Sequence, residues 1–326
     1  MMNQPRVRKP DQSALTAGSP SASPTGWSAG ARDAAHPAII GDVHGCGEEL
    51  REILQDLDRA LGHPWIILIG DLLTKGPAPH LVVTELRERR ARGQRISMIC
   101  GNHDQRMLLA LVQVEAGLDP NRLPRAERET WHALAKRRVI AEATELLVEC
   151  NETIVVQGLL PPVASLLPPS VREPMRWTAV HGGIEPRLGL ARTPDQLKIH
   201  IKAEDEHEEH WWERYRGEDG LIIVGHKPLR APMVLRRRDG SPMVVNIDTG
   251  CAYGNALTAY LPHEDRIVSV PSRQPRGEKF KSLRLADEHG STRGQSGVRG
   301  QRSEPSEPHP ASAVRLPYLA ESQPRR

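Results

Sequence analysis

Asp42 and His44 stand one residue apart in the stretch Gly41-Asp42-Val43-His44-Gly45. A carboxylate and an imidazole at that spacing, with glycine on each side, suit a metal site. The acid and the ring nitrogen supply hard and borderline donors, and the glycines let backbone approach closely. Four further stretches repeat the theme: Gly70-Asp71, Gly101-Asn102-His103-Asp104, His181-Gly182-Gly183 and Gly225-His226. Taken singly, each has an ordinary reading, a turn for Gly-Asp or a hydrogen-bonded core residue for His. Taken in order, two Asp, one Asn and three His form a mixed nitrogen and oxygen donor set sufficient for two metals.

Each stretch follows a short apolar run: Ala38–Ile40, Trp65–Ile69, Ile96–Cys100, Thr178–Val180 and Leu221–Val224, with a sixth run at Met243–Ile247. Their length and β-branched content predict strands. Between the early runs, Glu48–Leu61 and Leu81–Arg92 carry apolar residues at helical spacing, the second with a very basic outer face through the arginines of 88–92. Strands alternating with helices predict an α/β sandwich. In such sheets ligands gather beyond the carboxyl ends of the strands, where the five acid, amide and imidazole stretches fall. Residues 105–145 read as a helical insertion and 159–170 as a Pro-rich loop. Asp239-Gly240 marks a hairpin turn, and "DTGCAYGNALTAYLP" leads into another strand pair.

Composition narrows the classes. Hydrophobic residues make up 38% of the chain and aromatics 3%, with Phe280 the single phenylalanine. The core must therefore be built from Ile, Leu, Val and Ala. No run approaches the roughly 20 apolar residues of a membrane span, and no apolar export segment follows the basic N-terminus. Four separated cysteines (Cys46, Cys100, Cys150, Cys251) form no CxxC pair, so reduced thiols and a cytoplasmic setting are expected. Residues 1–37 and 271–326 are Ser-, Pro-, Gly- and Arg-rich and read as disordered tails around a folded unit at 38–270. The tails carry excess charges of +2 and +5, leaving −4 for residues 38–270 out of the net +3. An acidic middle argues against a nucleic-acid-binding core; only the basic tails offer that footprint.

GDVHG, GDLLTKGP, GNHD, HGG and GH in this order resemble the phosphoprotein-phosphatase-type, calcineurin-like metallophosphoesterases over roughly 38–262. "IDTGCAYGNALTAY" looks most like the symmetrical diadenosine-tetraphosphatase branch and its relatives. The resemblance implies a β-sandwich flanked by helices and two divalent metal ions, Mn first, with Fe, Zn or Co as alternatives. Asp42 and His44 would bind one ion, Asp71 would bridge, and Asn102, His181 and His226 would bind the other. A metal-bound hydroxide would attack phosphorus and His103 would act as general acid. Lys75 stands where the family usually has Arg and would hold a phosphate oxygen as a point charge. Arg214, in Trp212-Glu213-Arg214, fits a phosphate-contacting W-x-R element, or is a surface arginine.

One departure matters. Thr74 occupies the position where the protein phosphatases carry an Asp that orients the catalytic His, which leaves Asp104 as a substitute. The implied substrates are phosphorylated small molecules or proteins: nucleotide phosphoanhydrides first, then phosphoserine or phosphothreonine proteins, or polyphosphate. A metal- or RNA-binding scaffold is the non-enzymatic alternative, favoured only by the Arg/Gly tail at 293–302. "EDEHEEH" at 204–210 reads as a solvated helix face, and Cys251 as packing beside the site.

Overall fold

The computed structural model describes residues 36–160, 175–201, 210–283, 285–286 and 292–293. The first half contains β1 (Pro37–Ile40), α1 (Gly47–Leu61), β2 (Trp65–Leu68), α2 (Pro79–Ala91), β3 (Ile96–Met98), α3 (Asn102–Glu115), α4 (Arg125–Arg137) and α5 (Ile140–Asn151). The second contains β4 (Val155–Leu160), β5 (Met175–Val180), α6 (Gly189–Arg192), α7 (Asp195–His200), α8 (Trp211–Arg214), β6 (Leu221–Val224), β7 (Met233–Arg236), β8 (Pro242–Asn246), β9 (Ala256–Leu261), β10 (Arg266–Pro271) and α9 (Glu278–Lys281). One sheet runs β10-β9-β1-β2-β3 and the other β4-β5-β6-β8-β7.

The two-residue period of the strands builds three layers of core. Ile39, Ile67, Ile69 and Tyr260 of β9 turn toward the other sheet and meet Trp177, Ile223 and Val245. Their neighbours Ala38, Ile40, Ile66 and Leu68 turn the other way, onto Leu50, Leu54, Val82, Leu86 and Met107 of the helices. On the far side, Val180, Ile222 and Val224 pack against Trp211, Trp212 and Tyr215. Strands buried on both faces read as unbroken apolar runs, which is why the sequence marks them clearly. β1, β2 and β3 are parallel, and so are β5, β6 and β8.

Three features differ from the sequence reading. β4 lies where a Pro-rich loop was placed from 159 onward; its exposed edge position and Gly158, backed onto the Trp177 indole, blunt the strand signal. The rest of that loop, 161–174, and the acidic stretch 204–209 lie outside the described residues, as do residues 1–35 of the N-terminal tail. Residues 272–283, read as part of the basic tail from 271, pack on the domain through Arg273 N donating to Glu49 Oε1 (2.7 Å) and a buried Leu283; residues 284, 287–291 and 294–326 lie outside the described residues. The helical insertion spans α3 to α5, from 102 to 151.

Arg89 is not on an outer face. It is buried in α2 and donates to Glu85 Oε1 (2.8 Å), Asp58 Oδ2 of α1 (2.7 Å) and Gln94 Oε1 (2.9 Å). Burial pushes the Glu85 carboxyl up, but hydrogen bonds from Arg89 and Arg51 outweigh it and hold the pKa below the usual range. A depressed carboxyl stabilises the fold above its unfolded pKa, and that contribution fades as pH falls through the folded value. Arg89→Ala leaves Asp58 without its cation and Glu85 with Arg51 alone, and should cost about 3 kcal/mol in urea unfolding at neutral pH, with a smaller deficit in acid. Arg125→Ala, which breaks an exposed pair with Glu129, should leave the midpoint where it is.

Candidate metal centre

The six parallel strands end at one place. The loop after β1 carries Asp42 and His44, and the loop after β2 carries Asp71. Asn102 and His103 open α3 after β3, His181 follows β5, and His226 follows β6. Cross-sheet bonds close the arrangement. The His226 amide donates to both Asp42 oxygens (3.2 Å each), and the His103 amide donates to Asp71 Oδ1 (2.9 Å). Asp71 sits in the middle: its Oδ2 is 3.4 Å from His44 Nε2 and its Oδ1 is 3.5 Å from His181 Nε2. His181 Nδ1 donates to the Ile69 carbonyl (3.0 Å), which leaves Nε2 as an acceptor beside Asn102 Oδ1 (3.4 Å).

Two donor groups therefore share Asp71. His44, Asp71 and His103 form one, and Asp71, His181 and His226 the other, the ligand atoms of each group lying within 4.8 Å of one another. Asp42 adjoins the first, with its Oδ2 4.0 Å from His44 Nε2. The donor chemistry suits two divalent cations: borderline imidazoles, one amide and a carboxylate placed to bridge. Electrostatics agree. Burial, then the Asp248 and Asp71 charges, hold the Asp42 carboxyl well above its ordinary pKa. Burial likewise lowers His44, with Lys75 adding to it, and takes His181 down to about 3. Neutral imidazoles are the form a cation needs, and a cation would relieve the repulsion that raises the crowded acids.

The backbone is bent to this purpose. His44 (φ 46°), Asp71 (φ 53°), Lys75 (φ 77°) and His226 (φ 64°) all lie in the left-handed region without being glycine. Each costs of order 1–3 kcal/mol, and such strain gathers at functional sites. Gly101 and Gly225 give clearance: a Cβ at Gly101 would overlap Asp71 Oδ1, and one at Gly225 would overlap Asp42 Oδ1.

Other expected residues divide. Lys75 Nζ lies 2.7 Å from His44 Nε2, at the edge of the cluster. Asp104 does not face His103. It is buried and accepts the amides of Asp71 (2.6 Å), Leu72 (2.8 Å) and Gly101 (2.9 Å), so it pins the loop that carries Asp71. The expected His-orienting role is corrected accordingly: α3 starts at Asn102, and Asp104 caps its own helix rather than reaching outward. What faces the His103 ring instead is Arg106, whose Nη2 is 2.7 Å from Nδ1. Buried Glu127 of α4 accepts from Arg106 Nε (3.0 Å), so the helical insertion sets that guanidinium in place. Thr74 is buried near the same loop, with its hydroxyl unpaired. Arg214 is not brought to the cluster. It pairs with Glu185 (3.9 Å) on α8, whose Trp211 backs onto Gly183.

One residue was overlooked. Asp248 follows β8, the sixth strand end, and is buried with its pKa pushed up to about 7 by burial, with Asp71 adding and Lys75 opposing. Applying the strand-end rule to the sixth run as to the other five would have found it. Arg106 and Glu127 carried no comparable signal, because a pairing between α3 and α4 is a tertiary event.

The fold and the donor set define a metallophosphoesterase, a hydrolase of phosphoric esters or anhydrides. The chain belongs to the calcineurin-like phosphoesterase family, whose model matches residues 36–246. It is 30% identical over 271 residues to the asymmetrical bis(5'-nucleosyl)-tetraphosphatase PrpE of Halalkalibacterium halodurans, covering 75% of this chain and 98% of that protein. It is 26% identical to the symmetrical bis(5'-nucleosyl)-tetraphosphatase of Janthinobacterium sp. (strain Marseille), covering 73% and 98%. The crystal structure of a candidate diadenosine tetraphosphatase has the same fold, with a TM-score of 0.51 at 19% identity, over 74% of this chain and 96% of that one. Among the described residues, no helix is long and apolar enough to cross a membrane.

Gly225→Ala should push the Asp42 carboxylate aside while leaving every donor residue in the chain. A displacement near 1 Å costs about 10²-fold in rate. The variant should keep its circular dichroism, bind less metal by elemental analysis and lose activity on that scale.

Proposed function

We propose that this protein hydrolyses phosphoanhydride bonds in nucleoside polyphosphates of the diadenosine-tetraphosphate type, using two divalent metal ions, Mn²⁺ being the first choice. The observation that carries it is the pair of donor groups sharing buried Asp71, with a lysine at their edge. Asp42 and His44 would hold one ion with Asp71, and Asn102, His181 and His226 would hold the other with Asp71. Bound there, the ions would supply Lewis acidity at the phosphoryl oxygens and lower the pKa of water.

The protein's own groups do the rest. Lys75 holds a phosphate oxygen as a point charge, and its ammonium is already partly stripped of water, since burial lowers its pKa. Arg106 donates to His103 Nδ1, which keeps the ring proton on Nε2 and points that N–H at a departing oxygen. Burial, with Lys75 and Arg106 adding and Asp71 opposing, takes the His103 pKa down to about 3. Asp104 and the strained loop hold Asp71 between the two donor groups. The fourfold crowding of negative charge on a tetraphosphate chain is what such a cation-bearing floor would match. The relatives' names support this substrate class, and Thr74 in place of an orienting Asp disfavours the phosphoprotein reading.

Incubation with Mn²⁺ and a panel of diadenosine tetraphosphate, a phosphothreonine peptide and polyphosphate, with product analysis, tests the proposal. Diadenosine tetraphosphate should be cleaved fastest. Two nucleoside diphosphates would mark symmetrical cleavage, and a mono- plus a triphosphate asymmetrical cleavage. A faster phosphopeptide overturns the anhydride reading.

Asp71→Asn should lose both tightly bound ions and turnover, because a neutral bridge cannot hold two dications against their repulsion. His103→Asn should retain metal and lose about 10²–10⁴-fold in rate, with the deficit shrinking on nitrophenyl phosphate, whose departing phenolate needs little help. Equal deficits on good and poor leaving groups would remove His103 from that role.

A further inference from the structure

Composition assigns residues 272–283 to a solvated basic tail, but they wrap the turn that follows β8. Ser272 N donates to Asn255 O (2.9 Å) and Arg276 Nε donates to Gly254 O (3.2 Å). Leu283 is buried beside Gly250. The wrap lays Lys279 over the Tyr253 ring and Arg276 over the single phenylalanine, Phe280. The Tyr253 ring faces Lys75 Nζ at 5.5 Å and Lys279 Nζ at 5.7 Å. The Phe280 ring faces the guanidinium of Arg276 at 4.6 Å and that of Arg230 at 5.5 Å. Lys75 also touches His44 at the donor cluster, so Lys75, the Tyr253 ring and Lys279 lead outward from it, with Phe280 and Arg276 close to Lys279 in the same segment.

The Tyr253 hydroxyl senses that centre. Burial raises its pKa to about 12, the Asp248, Asp42 and Asp71 charges add to it, and Lys279 opposes them. The neighbouring charges of the segment, Glu278 and Lys281, neutralise each other. Lys279 and Arg276 form no ion pair among the described residues, and both are exposed. A cation laid over an aromatic face has lost part of its freedom before any anion arrives, which lowers the cost of fixing it on one. One phosphate at the metal centre engages Lys75. A longer chain would continue along the cations beyond it.

We propose that Tyr253, Lys279, Phe280 and Arg276 form a binding site for the phosphate chain beyond the reacting phosphate, so that segment 272–283 favours polyphosphate chains over monoesters. The proposal rests on the anhydride-hydrolase reading for the identity of its substrate. Its test does not need turnover. Calorimetric Kd values are measured on the Mn²⁺-loaded full-length protein, at fixed free Mn²⁺, for phosphate, methylenediphosphonate and the doubly methylene-bridged triphosphate analogue. The wild type should bind more tightly as the chain lengthens. Lys279→Ala should weaken the triphosphate analogue about tenfold, the scale of one charge-assisted contact, and phosphate by less than about twofold. Lys279→Arg should restore most of the loss. An equal shift for all three ligands, or none, overturns the proposal. If wild-type protein leaves diadenosine tetraphosphate intact while this chain-length pattern holds, the anhydride-hydrolase reading fails and the chain site stands. If it cleaves the dinucleotide and the pattern is absent, the chain site fails alone.

Discussion

Burying Asp42, Asp71 and Asp248 together is the constraint on which the rest of this structure depends. Like charges in a region of low dielectric repel strongly, and burial alone already disfavours each carboxylate. The raised pKa values of Asp42 and Asp248 record that conflict, and Lys75 relieves only part of it. A fold that keeps three acids there must hold them against their own repulsion. It does so with two face-to-face sheets whose parallel strands all end at one point, backed by three apolar clusters. Divalent cations are the chemical complement of such a site.

The supports around the acids share a logic of indirect hold. Asp104 spends its carboxylate on three backbone amides, two of them in the loop that presents Asp71. Glu127 acts through Arg106 on His103, so a helix inserted between β3 and β4 governs a ring at the centre. Gly101 and Gly225 contribute the space into which the carboxylates settle. Positive φ at His44, Asp71, Lys75 and His226 shows where the packing energy of the sandwich is stored as local strain.

The turn after β8 joins the two halves of the site. Its Asp248 faces the donor cluster, its Thr249 bonds to Thr258 (2.7 Å), and its Cys251 lies in the helix-side core with Cys46. Residues 272–283 then lock onto that turn through Glu49 of α1 and Asn255. All four cysteines are free and buried, and burial raises the Cys150 thiol, so they act as packing groups.

Local chemistry determined much of this protein from the chain alone. Apolar runs closed by Gly-Asp, Gly-Asn-His or Gly-His marked the buried parallel strands and the ends where ligands collect, because a strand buried on both faces has no polar alternation to obscure it. The proposed metal donors were legible for the same reason, since each sits within a few residues of its own strand. Tertiary structure decided what depends on distant partners. Asp104 turned inward because the Asp71 loop offers it two amides and Gly101 a third, and Arg106 took the His103 ring because α4 brings Glu127 behind it. Arg89 went inside because α1 supplies Asp58. Residues 272–283 folded back because Glu49 and the Tyr253 turn receive them, a match that no run of Arg, Gly and Pro announces by itself.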